Sequence, residues 1–440
     1  MQTASDDLDR GWLPDGVTIE LSPGYGKFFS NYLLLTDLAR ETRQLEPLAD
    51  VLEQRTERLF DPYLAMMTPD WRTPAFQDNY MVEVPEFLRG ALARFPGRED
   101  FRWAVTRGQE GREPKFQSVT LPYAGYLIIR SSWARDAHYL AFDAGPVGYR
   151  HAHQDKLSLV LYAFGRQILF DPGRRNGKEP YSTHLRDTFA HSTGLVDNRP
   201  QRRKWYQYPK PSAMPYLPLA DFQSEITRDQ VWASGDYMDH YGLPGALNNH
   251  SYPYGENSNF GEGWGKPASH FRQVLFVAPD LFVVQDHFIP NDGAVHTYEI
   301  RWHMDSVRVR TDAALRAVSE DAGQPNLGII PLQTEGLRIE TVSMGPEPEL
   351  MGWKVLDTLH PATTVRHLQT GIGSRTFLTL LLPRRADEPA DAVITAANDG
   401  RINVRLPGGR QYRIQPAGTP QDRLAVSDLE SSRGKASNTR

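Results

Sequence analysis

The sequence predicts an α+β protein in which a helical N-terminal part, residues 1–115, precedes a large antiparallel β-sandwich, residues 116–415, and a polar tail, residues 416–440. Three observations carry this. Apolar residues recur at three- and four-residue intervals only up to Phe95. From Ser118 onward the apolar period becomes that of extended chain, and tight reversals separate many such runs with few helical stretches between them. That pattern belongs to antiparallel sheets rather than to alternating α/β units.

In the first part, Phe28, Tyr32, Leu35 and Leu38 define one amphipathic stripe, and Leu45, Leu48, Leu52, Leu59 and Tyr63 a second. A Pro-rich loop at 69–78 follows, then a third helical pattern at 86–95. Residues 97–114 are polar and charged and read as the connection between the two parts. The sandwich part offers strands at 123–130, 138–142, 272–277, 281–286, 296–303, 376–382, 392–397 and 402–406. Asp280 and the Asn398-Asp399-Gly400 run mark reversals. The tail, from Ala417 on, reads as frayed. No internal repeat is visible.

Residues 150–191 hold the chemistry. His151 and His153 stand in His-Ala-His-Gln-Asp, Asp171 in Phe-Asp-Pro-Gly, and His191 in Ala-His-Ser-Thr. Histidine and carboxylate are ligand types that zinc selects. Residues 157–162 are an apolar run of strand formers, 163–166 contain a glycine suited to reversal, and 167–170 return. A hairpin turning near Gly165 makes His153 and Asp171 neighbours, and a returning loop brings in His191. The bland alternative is two surface histidines and an Asp-Pro-Gly turn.

The run from Gly148 through Gly173, with Arg186-Asp-Thr-Phe-Ala-His-Ser-Thr193 and Val196-Asp-Asn198, resembles the signature of heparinase II/III-like polysaccharide lyases, a group that includes heparin, heparan and oligoalginate lyases. The resemblance implies an α/α-toroid followed by an antiparallel β domain, so the helical part would be the end of an incomplete toroid. It implies His153, Asp171 and His191 as ligands of a structural Zn2+, and His151 as a histidine facing the substrate cleft. It also covers Ile19-Glu-Leu-Ser-Pro-Gly-Tyr25, which makes Tyr25 the catalytic tyrosine. The implied reaction is β-elimination on a uronic-acid-containing glycan, with a periplasmic or cell-envelope location. One feature departs from the family: its Asn-His pair from earlier toroid helices has no counterpart before Tyr25. Asn249-His250, the only such pair, lies in the β region. The chain is therefore expected to be either the C-terminal part of a longer product or a shortened homologue.

Composition narrows the rest. With 440 residues, 40% hydrophobic and 11% aromatic, two sizeable cores are possible. A net charge of -5 gives no global pull on an acidic polymer, so any attraction is local. The absence of cysteine excludes disulfides and thiolate metal sites. Residues 1–10 show no apolar signal core, which leaves a cytoplasmic location open, and no stretch is long enough for a membrane span.

Arg199, Arg202, Arg203, Lys204 and Lys210 interleave with Trp205, Tyr206 and Tyr208. That mixture suits an acidic sugar chain, although single-stranded nucleic acid and a plain solvated loop are alternatives. The partner expected is an acidic polysaccharide or oligosaccharide rather than nucleic acid, with Arg203, Trp205, Trp264, His270 and Arg272 as substrate contacts. Two rival functions remain: a zinc metallohydrolase, for which His-x-His-x-Asp is an opening but Lys156 replaces the usual next histidine, and a non-catalytic acidic-glycan-binding protein with structural zinc. The apolar stripes of the N-terminal helices have too few partners within the chain, so self-association through them is expected.

Overall fold

The computed structural model describes residues 2–42, 45–149, 151–173, 181–203, 214–242, 265–346, 350–355, 358–386, 388–389, 392–396 and 399–429. Within them, a helical N-terminal part packs on one face of a stack of antiparallel sheets, which is the expected fold class.

The helices of the N-terminal part are Gln2–Gly11, Pro23–Gly26, Asn31–Glu41, Glu46–Arg58, Asp61–Met66, Val84–Arg94 and Glu99–Val105. Asp61–Met66 and Val84–Arg94 begin with proline in the first turn, where its missing N–H leaves no bond unmade. Acidic residues in the first turn and arginines in the last match the helix dipole in Glu46–Arg58 and Val84–Arg94. The last helix falls inside the stretch read as a polar connection. Its Phe101, Trp103 and Ala104 are buried, but seven residues are too few for a period to show.

A nine-stranded sheet runs in the order Val119–Leu121, Tyr126–Arg130, Tyr139–Asp143, Ser158–Ala163, Arg166–Leu169, His296–Met304, Thr363–Gly371 and Leu337–Ser343, with Gly194–Val196 paired to His296–Met304. An eight-stranded sheet faces it and carries Asn326–Pro331, Arg375–Arg384, Leu281–Pro290, Ala268–Val277 and Gln230–Tyr237 at its centre. Leu127, Phe142, Leu161, Phe282, Trp302 and Leu381 fill the space between them. A four-stranded sheet, Val393–Ala396 to Ala425–Asp428, covers the outer face of the second sheet through Ile402, Val404, Tyr412 and Ile414. Its last strand lies in what the sequence suggested was a frayed tail, and it is anchored by the buried Leu424 and Val426.

Strands Tyr126–Arg130, Tyr139–Asp143 and Ser158–Ala163 are buried on both faces. Their second face meets Leu13, Ile19, Leu21, Met66 and Phe76 from the helical part. Arg130 joins the two layers by donating to the carbonyls of Ala65, Met67 and Gln117. The expected hairpin is present as Ser158–Ala163 and Arg166–Leu169, turning at Phe164 and Gly165, both at positive φ.

Candidate active site and metal triad

The site lies where two loops of the helical part meet the start of the hairpin. Pro23–Gly26 is a single helical turn fixed from below: the Tyr126 hydroxyl donates to Leu21 O at 2.7 Å, and the Tyr63 hydroxyl to Pro23 O at 2.8 Å. A Cβ on Gly24 would stand 3.0 Å from both Asn79 Oδ1 and Tyr80 N, so glycine lets this turn touch the second loop, residues 73–82. That loop is closed by Thr73, whose hydroxyl accepts from Asn79 Nδ2 and from Val82 N.

Tyr25 and His151 stack face to face, with ring centroids 3.5 Å apart and planes 8° from parallel. The Tyr25 hydroxyl lies 3.3 Å from that of Tyr80. His151 has a φ of 55°, a left-handed conformation that costs a non-glycine residue on the order of 1–3 kcal/mol, and its carbonyl accepts from Asp78 N at 3.0 Å. Gln77 and Met81 have positive φ as well, so backbone strain gathers around this contact.

Asp78 links the two histidines. Its oxygens lie 3.2 Å from His151 Nδ1 and 3.1 Å from His153 Nε2. Burial would raise this carboxyl, but hydrogen bonds from His151 and His153 outweigh it and hold Asp78 below the usual carboxylate range. An ionised Asp78 accepts from both rings, which leaves His153 Nδ1 as the lone-pair nitrogen.

Behind His153 the site is buried. His153, Asp155 and His191 each offer a ligand atom, all within 4.8 Å of one another, and all three residues are buried. His191 Nδ1 lies 2.7 Å from Asp171 Oδ2; burial would lower this imidazole, but the Asp171 charge and hydrogen bond raise it. Among the described residues His153 Nδ1 and His191 Nε2 are buried without a hydrogen-bond partner. Two orphaned imidazole nitrogens beside a carboxylate, each ring held through its other nitrogen by an aspartate, are the donor set and outer shell of a histidine-carboxylate metal centre. The residues therefore fit the zinc ion that the sequence suggested. Asp155 is the carboxylate within reach of both rings, whereas Asp171 makes its contact at His191.

Asp155 is itself fixed by Gln77 Nε2, 3.0 Å from both its oxygens, and by Arg203 Nη2 at 2.8 Å. Gln77 also donates to Asp143 at 3.1 Å and accepts from His153 N at 2.6 Å. Burial and the neighbouring Asp155 charge push Asp143 up.

Three expected substrate contacts are displaced by this arrangement. Arg203 is buried and is spent on Asp155 and the carbonyls of His153 and Gly145. His270 and Arg272 are fully buried between the two large sheets, where both meet Asp286, at 2.7 and 2.6 Å. His270 and Arg272 are thus enclosed in the scaffold, whereas Arg203, although buried, borders a cavity with Lys156, Asp221 and Asp236. Trp205 and Trp264 lie outside the described residues. Asp78, Gln77 and Tyr80 were missed by sequence reasoning, and Asp155 entered it only as the aspartate of His-x-His-x-Asp in the rival metallohydrolase reading.

Comparison with known proteins now bears on this geometry. Residues 113–251 match the family described as heparinase II/III-like, C-terminal, and residues 1–103 that described as heparinase II/III N-terminus. A heparin-sulfate lyase of Pedobacter heparinus is 23% identical over 414 residues, which are 91% of this chain and 57% of the relative. One from Bacteroides stercoris is 26% identical over 199 residues, 42% of this chain and 29% of that protein. The crystal structure of a heparan sulfate lyase from Pedobacter heparinus superimposes with a TM-score of 0.69 at 18% identity, over 97% of this chain and 61% of that one. A heparinase III structure gives 0.66 at 13%, over 97% and 62%. The chain thus spans about three fifths of the length of the longer-matching relatives.

Proposed function

The chain belongs to the heparinase II/III-like family, and from that premise we propose that it is a polysaccharide lyase that cleaves a uronic-acid-containing glycan by β-elimination. The observation that carries the reading is the stacked pair of Tyr25 and His151 at the mouth of a site whose deeper members are buried. Elimination needs a base for the proton at C5 and an acid for the departing O4. A phenolate oxygen on Tyr25 takes the C5 proton, the C–H electrons form the C4=C5 double bond, and the C4–O bond breaks. The same phenol then returns its proton to the leaving oxygen. His151, when protonated, favours the phenolate through the face of the ring, and Asp78 holds that imidazole in place.

Zinc, when bound to His153, His191 and a carboxylate, supplies a rigid cross-link between the hairpin and the loop carrying His191. Both histidines are 0% exposed, so a metal there meets no polymer, which argues against a metallohydrolase. Tyr25 and His151 are only half-buried, which supports reading them as the groups that meet substrate. The names of the relatives favour a glycosaminoglycan, and heparan sulfate is the first probe. Family resemblance alone supports a periplasmic or cell-envelope location; no described helix is long and apolar enough to cross a membrane.

Tyr25→Phe removes the phenolic oxygen and leaves the ring stacked. Incubation with heparan sulfate should yield the ultraviolet absorbance of an unsaturated uronate with the parent chain, and at least about a thousand-fold less with the variant. Cleavage without that absorbance would make the protein a hydrolase.

A further inference from the structure

Tyr80 stands apart from the residues so far given a role. Its ring lies against Tyr25 with centroids 5.8 Å apart, its hydroxyl is 3.3 Å from the Tyr25 hydroxyl, and it is 44% exposed. It is carried by the same short loop as Asp78, and the contact depends on Gly24, where any side chain would press on Asn79 and Tyr80. One loop therefore serves both partners of the stacked pair: Asp78 holds the imidazole, and Tyr80 meets the phenol oxygen.

We propose, building on the lyase reading, that Tyr80 is a positioning residue whose hydroxyl donates to the Tyr25 oxygen in its ionised state and so holds Tyr25 as the base. A phenol can donate to a phenolate, and a hydrogen bond to a charged acceptor is worth more than one between neutral groups. The pair needs one member to ionise first. Burial and the Asp78 carboxylate push Tyr80 up, which suits it to be the donor of the pair. His151 faces the ring of Tyr25, Asp78 stands behind His151 and Tyr80, and Arg186 acts on Asp78. Tyr63, below, is occupied with Pro23 O. In this arrangement Tyr80 keeps its proton throughout, while Tyr25 alone shuttles one between C5 and O4.

The test is Tyr80→Phe, which keeps the ring and removes only the hydroxyl. Tyrosine labelled with carbon-13 at Cζ, with the Tyr25 resonance assigned through Tyr25→Phe, reports the ionisation of Tyr25 directly and without substrate. The Tyr25 midpoint should rise in the variant by about one pH unit, a roughly ten-fold loss of phenolate at neutral pH. With heparan sulfate, kcat at neutral pH should fall about ten-fold with KM unchanged, and the deficit should close as pH rises. An unmoved Tyr25 titration overturns the inference, as does a raised KM at constant kcat, which would make Tyr80 a substrate contact. A titration that moves in a protein yielding no unsaturated product supports the hydroxyl pair and removes the lyase reading instead.

Discussion

Among the described residues His153 Nδ1 and His191 Nε2 are buried nitrogens with no hydrogen-bond partner, a loss of about 1–3 kcal/mol each that a metal ion would relieve. Elemental analysis of the purified protein should find one zinc per chain, and none in a His153→Ala/His191→Ala double variant. The carboxylates are expected to separate. Asp155→Asn should strip the metal, because Asp155 reaches both rings. Asp171→Asn, which touches only His191 Nδ1, should weaken zinc by about 10–100-fold, as loss of an outer-shell partner does. Zinc retained in Asp155→Asn and absent from Asp171→Asn would make Asp171 the ligand, as the motif resemblance implies. His151 and His153 were legible because they are adjacent in sequence and flank a strand. Asp78 was not: it is 73 residues from His151, within a loop whose prolines are its visible feature, and only the folded loop turns it toward the imidazoles.

Strands Ala268–Val277 and Leu281–Pro290 pair with Arg272 opposite Asp286. The Arg272 guanidinium also donates to Leu157 O and Ser192 O, so this one pair ties the eight-stranded sheet to the hairpin start and to the residue after His191. Asp286→Asn leaves a buried guanidinium short of its counter-charge, and urea denaturation should show a loss of about 3–5 kcal/mol. Burial opposes ionisation of Asp286, but Arg272 and His270 overcome it and lower the carboxyl. A depressed carboxyl contributes stability that is complete above the ordinary value near 4 and is lost as pH falls through the lowered one. The gap between parent and variant should thus be constant from about pH 8 to 5 and narrow only in stronger acid; a gap that widens in acid would contradict the assignment. Arg272 and His270 looked like substrate contacts in sequence because a charged residue in a strand shows no face until the opposing sheet is known. Of the central strands, Ala268–Val277, Leu281–Pro290 and Arg375–Arg384 were readable because each holds an apolar run, whereas Asn326–Pro331 and Thr363–Gly371 were not read. Gln230–Tyr237 was not, because Ser234, Gly235 and Asp236 interrupt it, and Gly235 is required where a Cβ would stand 2.7 Å from Ala144.

Among the described residues, apolar surface is covered layer by layer, and exposed large apolar side chains are most closely grouped on the outer helices. The sheets and the inner helical faces are sealed by cores that the alternation and, at Leu52, Leu59 and Tyr63, the second helical stripe foretold, while the number of layers could not be read, since periodicity shows that a face is apolar but not what covers it. At the outer edge Phe28, Leu34, Leu35, Leu38, Leu48 and Val51 are all exposed, Leu34 by 63% and Leu38 by 59%, along the adjacent helices Asn31–Glu41 and Glu46–Arg58. On the same two helices Arg40 is paired with Asp50, and Arg94 of a third helix with Asp37. A contiguous apolar patch above a few hundred Å² is uncommon on a soluble monomer, and a second copy of the same helix pair offers the matching surface at a two-fold axis. The 440-residue chain should therefore show concentration-dependent dimerisation by light scattering, and Leu34→Glu/Leu38→Glu, which places two carboxylates on that face, should return it to a monomer with the same thermal stability. A parent chain that stays monomeric at all concentrations, with amides of these two helices as protected from exchange as those of the sheets, would show that the helices need no partner to remain folded.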